Sequence, residues 1–167
     1  MSKSKKPRKK YDPTKRARTD AFGGIRALYR EKAKRSKEPL DSDQVQDLSV
    51  AYHWALAAIV NGKGTWMDAN TLALAANMAL LLCEIGLGAD DLPTAMAGQD
   101  ALMTLMARRE RTGKMVLTGP EARALQELLD LHDGQMQSED CAEGMLVSAL
   151  AECKRRIAEG NVLEVAA

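Results

Sequence analysis

Leu72-Ala73-Leu74-Ala75-Ala76-Asn77-Met78-Ala79-Leu80-Leu81-Leu82-Cys83 is the most apolar stretch of this 167-residue chain, interrupted only by Asn77 and closed by Glu84. It is too short to cross a bilayer, which takes about 20 residues. It is also apolar nearly all round, the mark of a helix enclosed by other helices. The reading is therefore a buried central helix. Thr65 with Asp68 three residues on gives its start, and Gly86 and Gly88 give its end.

Working outward, the same punctuation recurs. Upstream, Asp41 with Gln44 makes a capping-box-like start, Val45, Leu48, Tyr52, Ala55, Leu56 and Ile59 line one face, and Asn61-Gly62 stops the helix. Before it, Phe22, Ile25, Leu28 and Tyr29 share a face over Asp20–Arg35, softened by Gly23-Gly24, with Pro39 ending any helix there. Downstream, Pro93 follows Asp90-Asp91 as a first-turn residue, Met96, Leu102, Met103, Leu105 and Met106 follow, and Gly113 lies past the end. Thr118 with Glu121 opens another helix carrying Ala122, Leu125, Leu128, Leu129 and His132. Gly134 is expected to weaken that helix and Ser138 to restart one. The last stripe is Met145, Leu146, Ala149, Leu150, Cys153 and Ile157, closed by Gly160.

These signals predict an all-α chain: a compact bundle of five or six helices, packed antiparallel because the connections are short. Composition agrees. Hydrophobic residues make up 46% of the chain, charged residues 28% and aromatics only 4%. That balance excludes a disordered or collagen-like chain and disfavours a β-sandwich or barrel. The expected organisation is a basic arm over 1–19, disordered or ordered by a partner, one helical domain over 20–160, and a tail over 161–167.

The formal net charge of +1 hides two opposed parts. Residues 1–37 hold 15 Lys and Arg against 3 Asp and Glu, whereas the remainder holds 9 against 20. The arm supplies Lys3, Lys5, Lys6, Arg8, Lys9 and Lys10, then Lys15, Arg16 and Arg18. Arg26, Arg30, Lys32, Lys34 and Arg35 extend the charge along the first predicted helix. Such a run releases condensed counterions from nucleic acid, so its binding is sequence-independent and strongly salt-dependent. Tyr11, Phe22 and Tyr29, interleaved with the cations, suit stacking on bases. Two other readings stay open: the arm lies on the acidic body of its own or a neighbouring chain, as in a homo-oligomer, or it is a solubilising tail or import signal.

The charged opening lacks the apolar core of a secretory signal, so a cytoplasmic location without a membrane partner is expected. Cys83, Cys141 and Cys153 are read as reduced, buried small hydrophobes. The methionines on the stripes suggest an adaptable core.

Catalytic chemistry finds little purchase, and neither enzyme activity nor a cofactor is expected. His53 has Ser49 and Ala57 one turn away, and His132 has Leu128 and Met136, so neither has a metal-ligand spacing. His132-Asp133 has the residue types of a base and its orienter, but adjacent helical residues do not face each other. Gly62-Lys63-Gly64-Thr65 lacks the rest of a phosphate loop and reads as a connection that Thr65 caps. Glu127, Asp130 and Asp133 read as a solvated stripe. The later cations Arg108, Arg109, Arg111 and Lys114, and Lys154-Arg155-Arg156, are best explained as complements to negative helix ends. Trp54 and Trp66 are read as core.

Two segments carry a resemblance. Lys6-Pro7-Arg8-Lys9-Lys10-Tyr11-Asp12-Pro13 together with Leu117-Thr118-Gly119-Pro120-Glu121 and Leu129-Asp130-Leu131-His132-Asp133-Gly134-Gln135-Met136 resembles small uncharacterised helical proteins of proteobacterial phages and prophages. Those have a KPRKxYxP-like start and an LHDxQL-like late segment. Gly134 and Met136 occupy variable places of the late pattern. The resemblance covers about a sixth of the chain and implies a viral origin, with no catalytic residue attached. The resulting expectation is a non-enzymatic binding protein whose arm contacts nucleic-acid backbone. Its rival is a protein-level inhibitor of a host complex, anti-defence or anti-CRISPR-like, acting through the acidic surface or the arm.

Overall fold

The computed structural model describes residues 37–160. The arm expected over 1–19, the basic helix expected over 20–35 and the tail over 161–167 lie outside the described residues. Among those described there are five α-helices: α1 (Ser42–Val60), α2 (Trp66–Glu84), α3 (Leu92–Thr112), α4 (Gly119–Gln137) and α5 (Glu143–Ala158). A single 3-10 turn, Ala89–Asp91, leads into α3. No strand occurs among the described residues, and the chain is all-α.

The Leu72–Cys83 stretch lies in α2, which packs against each of the other four helices. Leu72, Ala76, Ala79 and Leu82 are fully buried, so apolar surface over most of this helix is what its position requires, with Leu74 left 45% exposed. α2 is long and apolar enough to cross a membrane, with mean hydropathy 1.2, but 67% of that window is buried inside the fold. Its one polar interruption is satisfied: buried Asn77 accepts a hydrogen bond from Gln99 Nε2 of α3 at 2.8 Å.

Two of the three predicted capping boxes form. Asp68 N–H donates to Thr65 Oγ1, and Thr65 N–H donates to Asp68 Oδ2 at 2.7 Å. Thr118 N–H likewise donates to Glu121 Oε2 at 2.8 Å. The third does not form. Asp41 stands at the N-cap of α1 without a side-chain cap hydrogen bond. The entry to α1 is set from outside instead: Glu143 N–H donates to Glu38 O at 3.0 Å, and Pro39 bridges Ala142.

The expected break at Gly134 is absent. α4 runs through it to Gln137, and α5 starts at Glu143 with Ala142 as its N-cap, not at Ser138. One helical glycine costs about 1 kcal/mol, which burial of His132, Gln135 and Met136 around it outweighs.

α3 and α4 approach closely because Gly98 lacks a side chain. A Cβ at that position would stand 2.7 Å from Leu128 Cβ and 2.3 Å from its Cδ1. Their connection is clamped by Arg108, whose guanidinium donates twice to Glu121, once at 2.8 Å, and to Val116 O at 2.6 Å. Gly113 ends α3 at φ 70°, the left-handed conformation that favours glycine.

α5 is held differently. Ala149 and Cys153 pack with Met78, Leu81 and Leu82 of α2 in a small separate cluster. Arg156 adds hydrogen bonds to Glu84 at 2.6 and 3.0 Å. Met145, Leu146, Leu150 and Ile157 are only half-buried, because no further described helix covers that side.

Candidate functional site

The open side of α5 forms one wall of an apolar groove of about 540 Å³, completed by α1, α2, Leu40 and, from α4, His132 and Met136. Leu48, predicted to be core, lines this groove and is 49% exposed, as are Leu74 at 45% and Val147 at 53%. The apolar stripe of α1 is therefore split. Val45, Tyr52, Ala55, Leu56 and Ile59 face the bundle, while Leu48 faces the gap. Asp47 on α1 and Glu143 on α5 stand in the lining of opposite walls. Neither pairs with a cation among the described residues.

The groove has polar groups in its lining through Tyr52 and His132, both buried. Each belongs to a defined network. His132 Nδ1 lies 3.3 Å from Gln135 Oε1. The Gln135 amide nitrogen donates to Ala79 O at 3.1 Å and to Leu87 O at 2.8 Å, which fixes Oε1 as an acceptor. Nδ1 must then carry the proton. Burial drives the ring's pKa down, so the imidazole is neutral and Nε2 offers a lone pair.

Tyr52 turns its hydroxyl to Asp133 of α4 and donates a hydrogen bond to Oδ1. His53 Nε2 meets Oδ2 of the same carboxylate at 2.8 Å. Burial raises the Asp133 pKa, but its polar contacts, led by the bonds from Tyr52 and His53, outweigh it and leave the group below the usual carboxylate value. Burial, reinforced by Asp133, pushes the Tyr52 phenol well above its ordinary range.

The geometry corrects the sequence reading here. Asp133 belongs to no solvated stripe, and His53, not His132, is its partner. Two side chains from α1, Tyr52 and His53, converge on one carboxylate. In a Ser–His–Asp relay the imidazole stands between hydroxyl and carboxylate, so the convergent arrangement joins α1 to α4 without setting up that relay. No group of three or more His, Cys, Asp or Glu among the described residues is placed to hold a metal. Cys83, Cys141 and Cys153 are buried and unpaired, and burial raises all three thiol pKa values.

The later basic clusters are largely engaged. Arg155 pairs with Glu152 and Glu159, and Arg156 with Glu84 and Glu152. Arg109 stacks over the Trp66 ring at 3.6 Å. Trp54, expected in the core, is 75% exposed because it falls on the outer face of α1. The predicted nucleic-acid contacts Lys3, Lys5, Lys6, Arg8, Lys9, Lys10, Lys15, Arg16, Arg18, Arg26, Arg30, Lys34 and Arg35 all lie outside the described residues. The groove and the Asp133 cluster were missed because they join residues distant in sequence. The local signals, Leu48, Leu146 and Leu150, have the spacing of core positions. No family model, curated protein or solved structure matches this chain.

Proposed function

We propose that this chain is a non-enzymatic, phage-type binding protein that acts in the bacterial cytoplasm. Its basic N-terminal segment contacts nucleic-acid backbone, while the acidic helical body presents a surface to a protein. The observation that carries the reading is the segregation of charge: 15 cations against 3 anions in residues 1–37, and 9 against 20 beyond them. Ion pairing within the body adds support. Arg108, Arg155 and Arg156 are paired with carboxylates of the same chain, which leaves fewer body cations for phosphate.

The test is a titration of the full chain against single- and double-stranded nucleic acid at several salt concentrations. Replacing Lys9, Lys10, Lys15, Arg16 and Arg18 with Ala is expected to weaken binding to all sequences alike. It should also flatten the dependence of log affinity on log salt by about 0.7–0.9 per lost phosphate contact. An unchanged slope removes the reading. The rival, inhibition of a host complex at the protein level, draws on the same anionic excess of the body. It predicts a stoichiometric protein partner that survives nuclease treatment of a host-lysate pull-down.

A further inference from the structure

We infer that the groove between α1, α2 and α5 is the seat of a cationic amphipathic helix from a protein partner. That helix lays apolar side chains into the groove, a hydrogen-bond donor on His132 Nε2, and Lys or Arg against Asp47 and Glu143. The inference rests on the proposed function in one respect: that reading assigns the N-terminal cations to phosphate, so the occupant is sought on a partner.

Three observations specify the occupant. The first is shape: the α1 wall runs from Gln44 to Tyr52 and the α5 wall from Glu143 to Leu150, each about two helical turns, or roughly 11–12 Å. That length takes residues at i, i+3 or i+4, and i+7 of one helix, the spacing of helix-in-groove recognition. Leu48, Leu74 and Val147 are exposed where these side chains would sit.

The second is the polar anchor. His132 is 4% exposed and its Nδ1 is committed to Gln135, but Nε2 has no partner among the described residues. No fully buried polar side-chain atom there lacks a partner, so Nε2 reaches solvent, and His132 borders the groove. A lone pair in apolar walls selects a hydroxyl or an indole N–H over a methyl or a phenyl group. The third is charge. Two carboxylates on opposite walls, neither paired with a cation among the described residues, favour flanking cations and disfavour an acidic helix.

The experiment uses the full-length protein and a synthetic helical peptide with leucines one turn apart over two turns, one tyrosine on that face, and lysines on the flanks. Saturable one-to-one binding by calorimetry is expected. Leu74→Glu and, independently, Val147→Glu should each weaken it by about tenfold or more. Both residues are exposed, and unchanged circular dichroism checks the fold. Replacing the peptide's tyrosine with phenylalanine should cost roughly three- to tenfold. Asp47→Lys should weaken binding of the lysine peptide and restore binding of a glutamate-flanked one.

The inference is overturned if the peptide does not saturate, if neither groove variant changes its affinity, or if it binds only after residues 1–36 are removed. The last result would assign the groove to the chain's own N-terminal residues. Failure here is separable from failure of the nucleic-acid reading, because Leu74→Glu should leave the salt slope for nucleic acid unchanged.

Discussion

The two sides of α2 are built differently. On one side α3 and α4 meet through Gly98 against Leu128, and their connection is clamped by Arg108 on Glu121. On the other, α5 touches α2 through a small cluster and leaves Leu48, Leu74 and Val147 uncovered. The first side has no slack at Gly98, where an added methyl group would overlap Leu128. The second side keeps apolar surface open to water, which costs solvation free energy and makes sense as a surface reserved for something else. The closest helix approach is in the α3–α4 pair, and recognition is assigned to the α1–α5 side.

Substitutions should expose this asymmetry. The largest effect is expected from Gly98→Ala, where the new Cβ would overlap Leu128 and force the helices apart. Overpacking of this kind costs about 1–3 kcal/mol, read as a lower denaturant midpoint. A comparable change on the other wall, Leu48→Asp, should stay within about 0.5 kcal/mol of wild type. Equal losses at the two sites would erase the distinction.

The next effect is confined to acid. The Arg108 guanidinium holds Glu121 down to about 2, from an ordinary value of 4.5. A carboxylate depressed in the folded state adds stability that is fully present above its unfolded pKa. That stability is lost as pH falls through the folded value, here between 4.5 and about 2. Acid denaturation followed by circular dichroism should therefore be less steep in that window for Glu121→Gln than for wild type. An identical acid limb would mean the clamp does not hold in solution.

The smallest effect has the opposite sign. Gly134 sits inside α4, and a Cβ there would meet nothing within 4 Å. Gly134→Ala should raise stability by about 0.5–1 kcal/mol, without the penalty expected at Gly98. The same substitution at two glycines of adjacent helices would then move stability in opposite directions.

How much of this was legible depends on the range of the interaction. Thr65 with Asp68, Thr118 with Glu121, and Gly113 lie within one helical turn of what they control, and the structure uses them as read. Gly134 misled because a local propensity of about 1 kcal/mol was set against burial that the local pattern does not weigh. Leu48 misled for the complementary reason: its spacing marks the apolar face of α1, but not whether a neighbour covers that part of it. Asp133 was assigned to a charged stripe by spacing, yet its partners Tyr52 and His53 lie 81 and 80 residues away.

From residue order alone came the helices, most of their ends, the enclosed position of Leu72–Cys83 and the division of charge between the opening segment and the rest. These follow from hydrogen bonding and solvation along a few turns of chain, which neighbouring residues determine. Packing decided where the helices press together, where they stand apart, which nitrogen of His132 is left with a lone pair and which carboxylate His53 meets. Those outcomes depend on distances between residues separated by dozens of positions, and periodicity carries no information about such distances.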